Sequence, residues 1–102
     1  MSPFTIIAEP NRRWILDQLQ VSPASVNDLV EGSGMSQPAM SKHLRTLRDA
    51  GLVTSVAEGQ KRVYHLNPTP LKALDEWLHP YRAFWSQKLD DLEAHLAGLE
   101  ED

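Results

Sequence analysis

Ser36, Gln37, Ser41, Lys42, His43, Arg45 and Arg48 fall within one short stretch, and Lys61 and Arg62 follow it. Their hydroxyl, amide, imidazole, ammonium and guanidinium groups all donate to oxygen or ring-nitrogen acceptors. Arg45 or Lys42 can reach phosphate or the O6/N7 edge of guanine, and the Gln37 amide can read adenine with two bonds or contact phosphate. Pro38 and Ala39, set among them, offer apolar contact to thymine methyl groups. Ser41 can donate to phosphate or bond back to its own preceding turn. His43 suits a phosphate or backbone contact and, equally, a structural hydrogen bond. Arg48 would favour a helix C-terminus with no polyanion present. Lys61 and Arg62 suit phosphate or minor groove, adding affinity more than sequence choice. A solvated face is the plain alternative for the whole set. There is no Gly-rich phosphate loop and no cysteine, and the four histidines are scattered, so no enzyme is expected.

One helix must position most of these groups. Met40, Leu44 and Leu47 recur at i, i+4 and i+7, the stripe of a helix packed on a core, which turns Pro38, Lys42, Arg45 and Thr46 outward. Ser36 can cap the first backbone N–H groups, Pro38 in the first turn wastes no donor, and Gly51 suits the left-handed residue after the last turn. Before this helix, Ser25-x-x-Asp28 starts another with Val26, Leu29 and Val30 at helical spacing, broken by Gly32-Ser33-Gly34. Two helices joined so tightly make a helix-turn-helix, or a plain corner between core helices. After it, residues 52–57 and 62–66 are rich in β-branched and aromatic types, and Glu58-Gly59-Gln60-Lys61 separates them as the turn of a β-hairpin. With Lys61 and Arg62 at its tip, the hairpin reads as a wing that can lie along a phosphate backbone. A short helix with small polar residues first and basic ones later is what a DNA major groove admits.

At 102 residues the chain is read as one domain, 1–102, with 25–51 as helix-turn-helix and 52–66 as wing. No apolar run is long enough to span a bilayer and no secretion signal opens the chain, which predicts a cytoplasmic protein with no membrane partner. The absence of cysteine excludes disulfides, thiol switches and thiolate metal sites. A net charge of −4 argues against nucleic acid until its distribution is considered. Residues 36–70 hold Lys42, Arg45, Arg48, Lys61 and Arg62 against Asp49 and Glu58, whereas residues 71–102 are strongly acidic. A polyanion is steered to the middle third and repelled by the last.

The outer segments are apolar. Residues 3–8 read as a helix too short to stand alone, which must dock on something. Pro10 opens a helix carrying Ile15, Leu16 and Leu19 inward to near Gln20, and Ser22-Pro23-Ala24 reads as a linker. After Asn67-Pro68-Thr69-Pro70, apolar residues from Leu71 to Leu99 recur every three or four positions as one long amphipathic helix, which Pro80 is expected to kink near Trp77. That helix carries more large apolar residues than a small winged domain can cover.

These features together resemble the winged helix-turn-helix repressors of the ArsR/SmtB family. The resemblance rests on Met35 to Leu44, then Leu47, Ala50-Gly51-Leu52-Val53, Gly59 and Tyr64-His65-Leu66, and covers roughly the whole chain. It implies a mainly α (α+β) fold, a winged helix-turn-helix with a two-stranded β-hairpin wing and a long C-terminal dimerisation helix. The implied function is a sequence-specific DNA-binding transcriptional regulator, a homodimeric repressor on an inverted-repeat operator. Its DNA contacts would be Ser36, Gln37, Pro38, Ala39, Ser41, Lys42, His43, Arg45, Arg48, Lys61 and Arg62. Its dimer interface would draw Phe4 and Ile7 from helix 1–9, and Trp77, Tyr81, Trp85, Leu89 and Leu92 from helix 70–98. A winged-helix protein-interaction module without DNA binding is the alternative, and an intramolecular lid is the alternative for the last helix.

Sensors of the family commonly bind metal through cysteines on the helix before the recognition helix. The matching stretch here is Val26-Asn27-Asp28-Leu29, which lacks those ligands. A second family site uses Asp and His on the last helix. Asp75 with His79 and Asp91 with His95 stand at i, i+4 and have zinc-ligating chemistry, but the family's ligand pattern is not reproduced. The resemblance therefore implies no metal and no cofactor, with an unknown effector or partner protein as the possible signal.

Overall fold

Residues 2–100 are described by the computed structural model. Met1, Glu101 and Asp102, the last two part of the acidic C-terminal third, lie outside the described residues. The elements in chain order are α1 (Pro3–Ile7), α2 (Pro10–Val21), β1 (Ala24–Ser25), α3 (Val26–Ser33), α4 (Gln37–Asp49), β2 (Val53–Glu58), β3 (Lys61–Leu66) and α5 (Leu71–Glu100). They divide into two compact units, one reaching to Lys72 and one beginning at Ala73. The fold is mainly helical, a winged helix-turn-helix with a long C-terminal helix.

In the first unit, the inward stripes of the helices meet in one core. Ile15, Leu16 and Leu19 of α2, Leu29 of α3, Met40, Leu44 and Leu47 of α4, and Leu52, Val53 and Tyr64 from the wing side are all buried, and Ile6 of α1 joins them. Five residues are too few for a helix to hold itself, so α1 depends on what it docks against. Two arginines at the start of α2 supply part of that. Arg12 Nε donates to the Ile6 carbonyl at 2.8 Å, and Arg13 Nη1 donates to the Ile7 carbonyl at 3.0 Å, satisfying acceptors that the end of a helix leaves open.

The helix ends follow the expected chemistry. Ser25 caps α3 by accepting from Asp28 N–H at 3.2 Å, while the Asp28 carboxylate accepts from Ser25 N–H at 3.2 Å, a reciprocal capping box. Helix α3 runs through Gly32 and Ser33 and stops at Gly34, whose φ of 72° is the left-handed conformation open to glycine. Ser36 caps α4 by accepting from Ala39 N–H at 3.2 Å. At the other end Gly51 N–H bonds the Arg48 carbonyl and Leu52 N–H bonds the Leu47 carbonyl, both at 2.9 Å, with Gly51 at φ 78°. This is a Schellman ending, and it turns the chain directly into the wing.

The hairpin pairs β2 with β3 antiparallel, from Val53 opposite Leu66 to Glu58 opposite Lys61. The sheet is larger than the expected two strands. A third strand, β1, pairs with the other side of β3, Ala24 opposite Tyr64 and Ser25 opposite Val63, giving the order β1-β3-β2. The segment taken for a linker thus enters the sheet, and because Ser25 is also the cap of α3, the sheet fixes where the helix-turn-helix begins.

The second unit is formed by the rest of α5, which continues as helix through Pro80. Proline removes one N–H from the helix ladder. Near Pro80, Arg82 pairs with the Asp75 carboxylate at 2.7 Å and donates to the Asp75 carbonyl at 3.3 Å. Trp77, Tyr81 and Trp85 follow one another along one face as tilted ring pairs, with centroids 5.0 and 6.4 Å apart.

Candidate nucleic-acid interface

Burial divides α4 into three lanes. Met40, Leu44 and Leu47 are fully buried, and Ala39, His43 and Thr46 are half-buried along one flank. Ser36, Gln37, Pro38, Ser41, Lys42, Arg45 and Arg48 are exposed on the remaining surface. The charged and amide groups able to read base edges are thus held out from a helix whose apolar side and both ends are fixed. Thr46 hydrogen-bonds its hydroxyl to the Lys42 carbonyl at 3.2 Å, within the helix.

The wing reaches the start of this surface. A cleft of about 170 Å³ is lined by Ser25, Val26 and Asn27 at the head of α3, Gln37 at the head of α4, and Gln60, Lys61 and Arg62 of the wing. Three elements far apart in sequence are therefore neighbours. Arg62 Nη1 donates to the Ser55 hydroxyl at 2.9 Å across the hairpin, which orders its guanidinium. The Asp28 carboxyl lies below its ordinary pKa, chiefly through the N–H and hydroxyl of Ser25, with the charge of Lys61 adding to the effect against some desolvation. Asn27, Ser55 and Gln60 were not singled out by the sequence. Their role depends on the strand register, which leaves no local signal.

His43 lies apart from the exposed lane. Its Nδ1 is 3.9 Å from Glu9 Oε2, and Glu9 is the N-cap of α2, accepting from Arg12 N–H at 2.8 Å. Burial pushes the Glu9 carboxyl up, but the N–H groups of Arg12 and Asn11 and the charges of His43 and Arg12 outweigh it, leaving its pKa below the ordinary value.

The residues expected at a dimer interface are placed as follows. Trp77, Tyr81, Trp85, Leu89 and Leu92 are all about half exposed or more, as are Phe84, Leu96 and Leu99, while Phe4 is exposed and Ile7 is half-buried against the core. For metal, the Asp75 carboxylate is engaged by Arg82. Among the described residues no three His, Cys, Asp or Glu side chains gather, and the Asp91–His95 pair supplies two ligands where zinc takes three or four from protein.

Against known proteins, residues 9–55 match the model described as bacterial regulatory protein, arsR family, a span running from the cap of α2 into β2. The chain is 39% identical to the HTH-type transcriptional regulator Rv2034 of Mycobacterium tuberculosis, over 81% of this chain and 75% of that protein. It is 35% identical to the transcriptional repressor SdpR of Bacillus subtilis, over 74% of this chain and 83% of that protein. The chain belongs to the ArsR family. The solved structure of a possible transcriptional regulator for arsenical resistance superposes with a TM-score of 0.71 at 36% identity, covering 92% of this chain and 95% of that one. The ArsR family assignment makes this protein a DNA-binding transcriptional regulator and not an enzyme.

Proposed function

We propose that this protein is a homodimeric repressor, acting in the cytoplasm, that binds an inverted-repeat operator through two copies of α4. The observation that carries the reading is the exposed lane of α4 together with the wing. Gln37, Lys42 and Arg45 stand clear of the core, and Lys61 and Arg62 share a cleft with Gln37. On this reading Lys42, Arg45 and Gln37 meet base edges and phosphate. Pro38 and Ala39 meet thymine methyls, and Ser36, Ser41 and Arg48 donate to phosphate. Lys61 and Arg62 hold the backbone beside the groove.

The whole chain acts as one functional domain. The apolar face of α5 supports association with a second copy, since a row of exposed Trp, Tyr, Phe and Leu side chains exceeds what a monomer normally leaves in water. Phe4 and Ile7 are assigned to the same interface. A two-fold dimer sets its half-sites about one helical turn, roughly 34–36 Å, apart. Occupancy of promoter DNA represses, and an effector or partner protein releases the complex by favouring a dimer geometry that cannot span both half-sites.

The test is selection of bound duplexes from a random pool, followed by a salt titration on the enriched sequence. A palindromic site whose affinity falls steeply with salt is expected. Failure to enrich any sequence, or a salt-insensitive affinity, overturns the reading.

A further inference from the structure

We propose that His43 is a positioning residue for operator binding, tying the half-buried flank of α4 to the Glu9 carboxylate at the head of α2, and that it does not touch DNA. The inference rests on the reading of α4 as the groove-reading helix. It separates His43 from its neighbours Lys42 and Arg45, which project from the exposed lane, while the imidazole lies on the flank shared with Ala39 and Thr46.

Several observations converge on this role. The side chains three and four places away along α4 are Ala39, Met40, Thr46 and Leu47, none of them titratable. Helix α1 carries no titratable side chain either. At the head of α2 stand Glu9, Arg12 and Arg13, and both guanidinium groups are committed to carbonyls, Arg12 to Ile6 and Arg13 to Ile7 and Ala8. Glu9 is the ionic contact of His43 among the described residues. At 3.9 Å the separation is too long for a hydrogen bond but suits an ion pair, so the tie acts when the imidazole is protonated. The anchor is itself fixed, since Glu9 accepts the Arg12 N–H as the cap of its helix. A tether of this kind raises the fraction of molecules with α4 correctly set, and apparent affinity scales with that fraction.

The experiment compares the protein with H43Q, E9Q and the double variant on the duplex enriched by the wild type, at pH 6 and across a salt series. Gln at position 9 retains an oxygen acceptor for the α2 cap, and thermal melts monitor folding. If E9Q melts out, H43N is measured beside H43Q in its place, and the pair is read by affinity at pH 6 and by salt slope. At pH 6 each single variant is expected to weaken binding by about two- to five-fold, as a part-exposed ion pair allows. The double variant should be no worse than either. The salt slope of H43Q should equal that of the wild type. Additive losses, unchanged affinity at pH 6, or a slope shallower by about one for each His43 removed, the mark of a lost phosphate contact, overturns the proposal. Failure of the wild type to bind any duplex overturns the groove-reading assignment as well, and so is distinguishable from failure of the tether alone.

Discussion

Helices α4 and α5 treat water in opposite ways. Helix α4 buries Met40, Leu44 and Leu47 completely and shows solvent Lys42, Arg45 and Arg48, whereas α5 shows Trp77, Tyr81, Trp85, Leu89 and Leu92. Helix α4 is closed off at both ends by a serine cap and a Schellman turn. Its outer surface holds charge at fixed positions, which suits a polyanion and a salt-dependent affinity. The outer surface of α5 suits a second apolar surface, where association is driven by removing area from water and depends little on salt. On the proposed reading one chain carries two recognition surfaces with different physics, and they can be attacked separately.

The sharpest break should come from removing charge on α4. Lys42→Ala with Arg45→Ala deletes two contacts per protomer, each worth about 1–3 kcal/mol where it meets a base edge. Operator affinity should drop by about 100-fold or more in a gel-shift assay, while sedimentation still reports a dimer. Charge placed on α5 should do the reverse. Trp85→Glu with Leu89→Glu should yield a monomer at micromolar concentration, because burying either side chain contributes about 1.5–3 kcal/mol and two-fold symmetry counts each change twice. The far-UV spectrum of that variant should remain helical. A dimer that survives it places the interface elsewhere.

The two helices were also unequally legible in sequence. The stripe, cap and terminal glycine of α4 are local signals that agree with one another, and the helix formed where they point. The capping box of α3 and the wing hairpin were equally local and are present. What escaped the sequence were pairings between distant segments. Strand β1 is two residues long beside Pro23, too short to show alternation, and it exists because β3 offers a free edge. Arg12 and Arg13 gave no sign of holding α1, Arg62 none of bonding Ser55, and Glu9 none of facing His43. Each depends on the angle between elements, which no periodicity encodes. Helix α5 was legible as an amphipathic helix, but its apolar face records only that a cover is needed.

Smaller effects test how firmly the α4 surface is fixed by its supports. Ser25 caps α3 and pairs in the sheet, so Ser25→Ala removes a side-chain cap at the hinge between wing and helix-turn-helix. A loss of about 1 kcal/mol in thermal or urea unfolding is expected. A comparable change of cap is absent from the interior of α5, where surface substitutions such as Glu93→Ala should be near neutral, within about 0.5 kcal/mol.

A smaller effect than the loss of the Ser25 cap concerns acid. The Asp28 carboxyl is held below its ordinary range first by the Ser25 N–H and hydroxyl, with Lys61 contributing, and Glu9 is also low, its cap bonds and neighbouring charges outweighing burial. A depressed folded pKa means that the unfolded chain binds the proton first as pH falls. The stabilising contribution is therefore complete above the ordinary carboxylate values, near pH 4, and is lost as pH drops through the folded values below them. Asp28→Asn removes the ionised partner of Ser25. Its melting temperature should fall below the wild type's at pH 7 by less than the Ser25→Ala decrement, and the two curves should draw together as pH falls through the depressed folded value and the wild-type carboxyl is protonated too. A gap that persists unchanged at low pH would mean that the shape of the side chain, and not its charge, secures the head of α3 beside the wing.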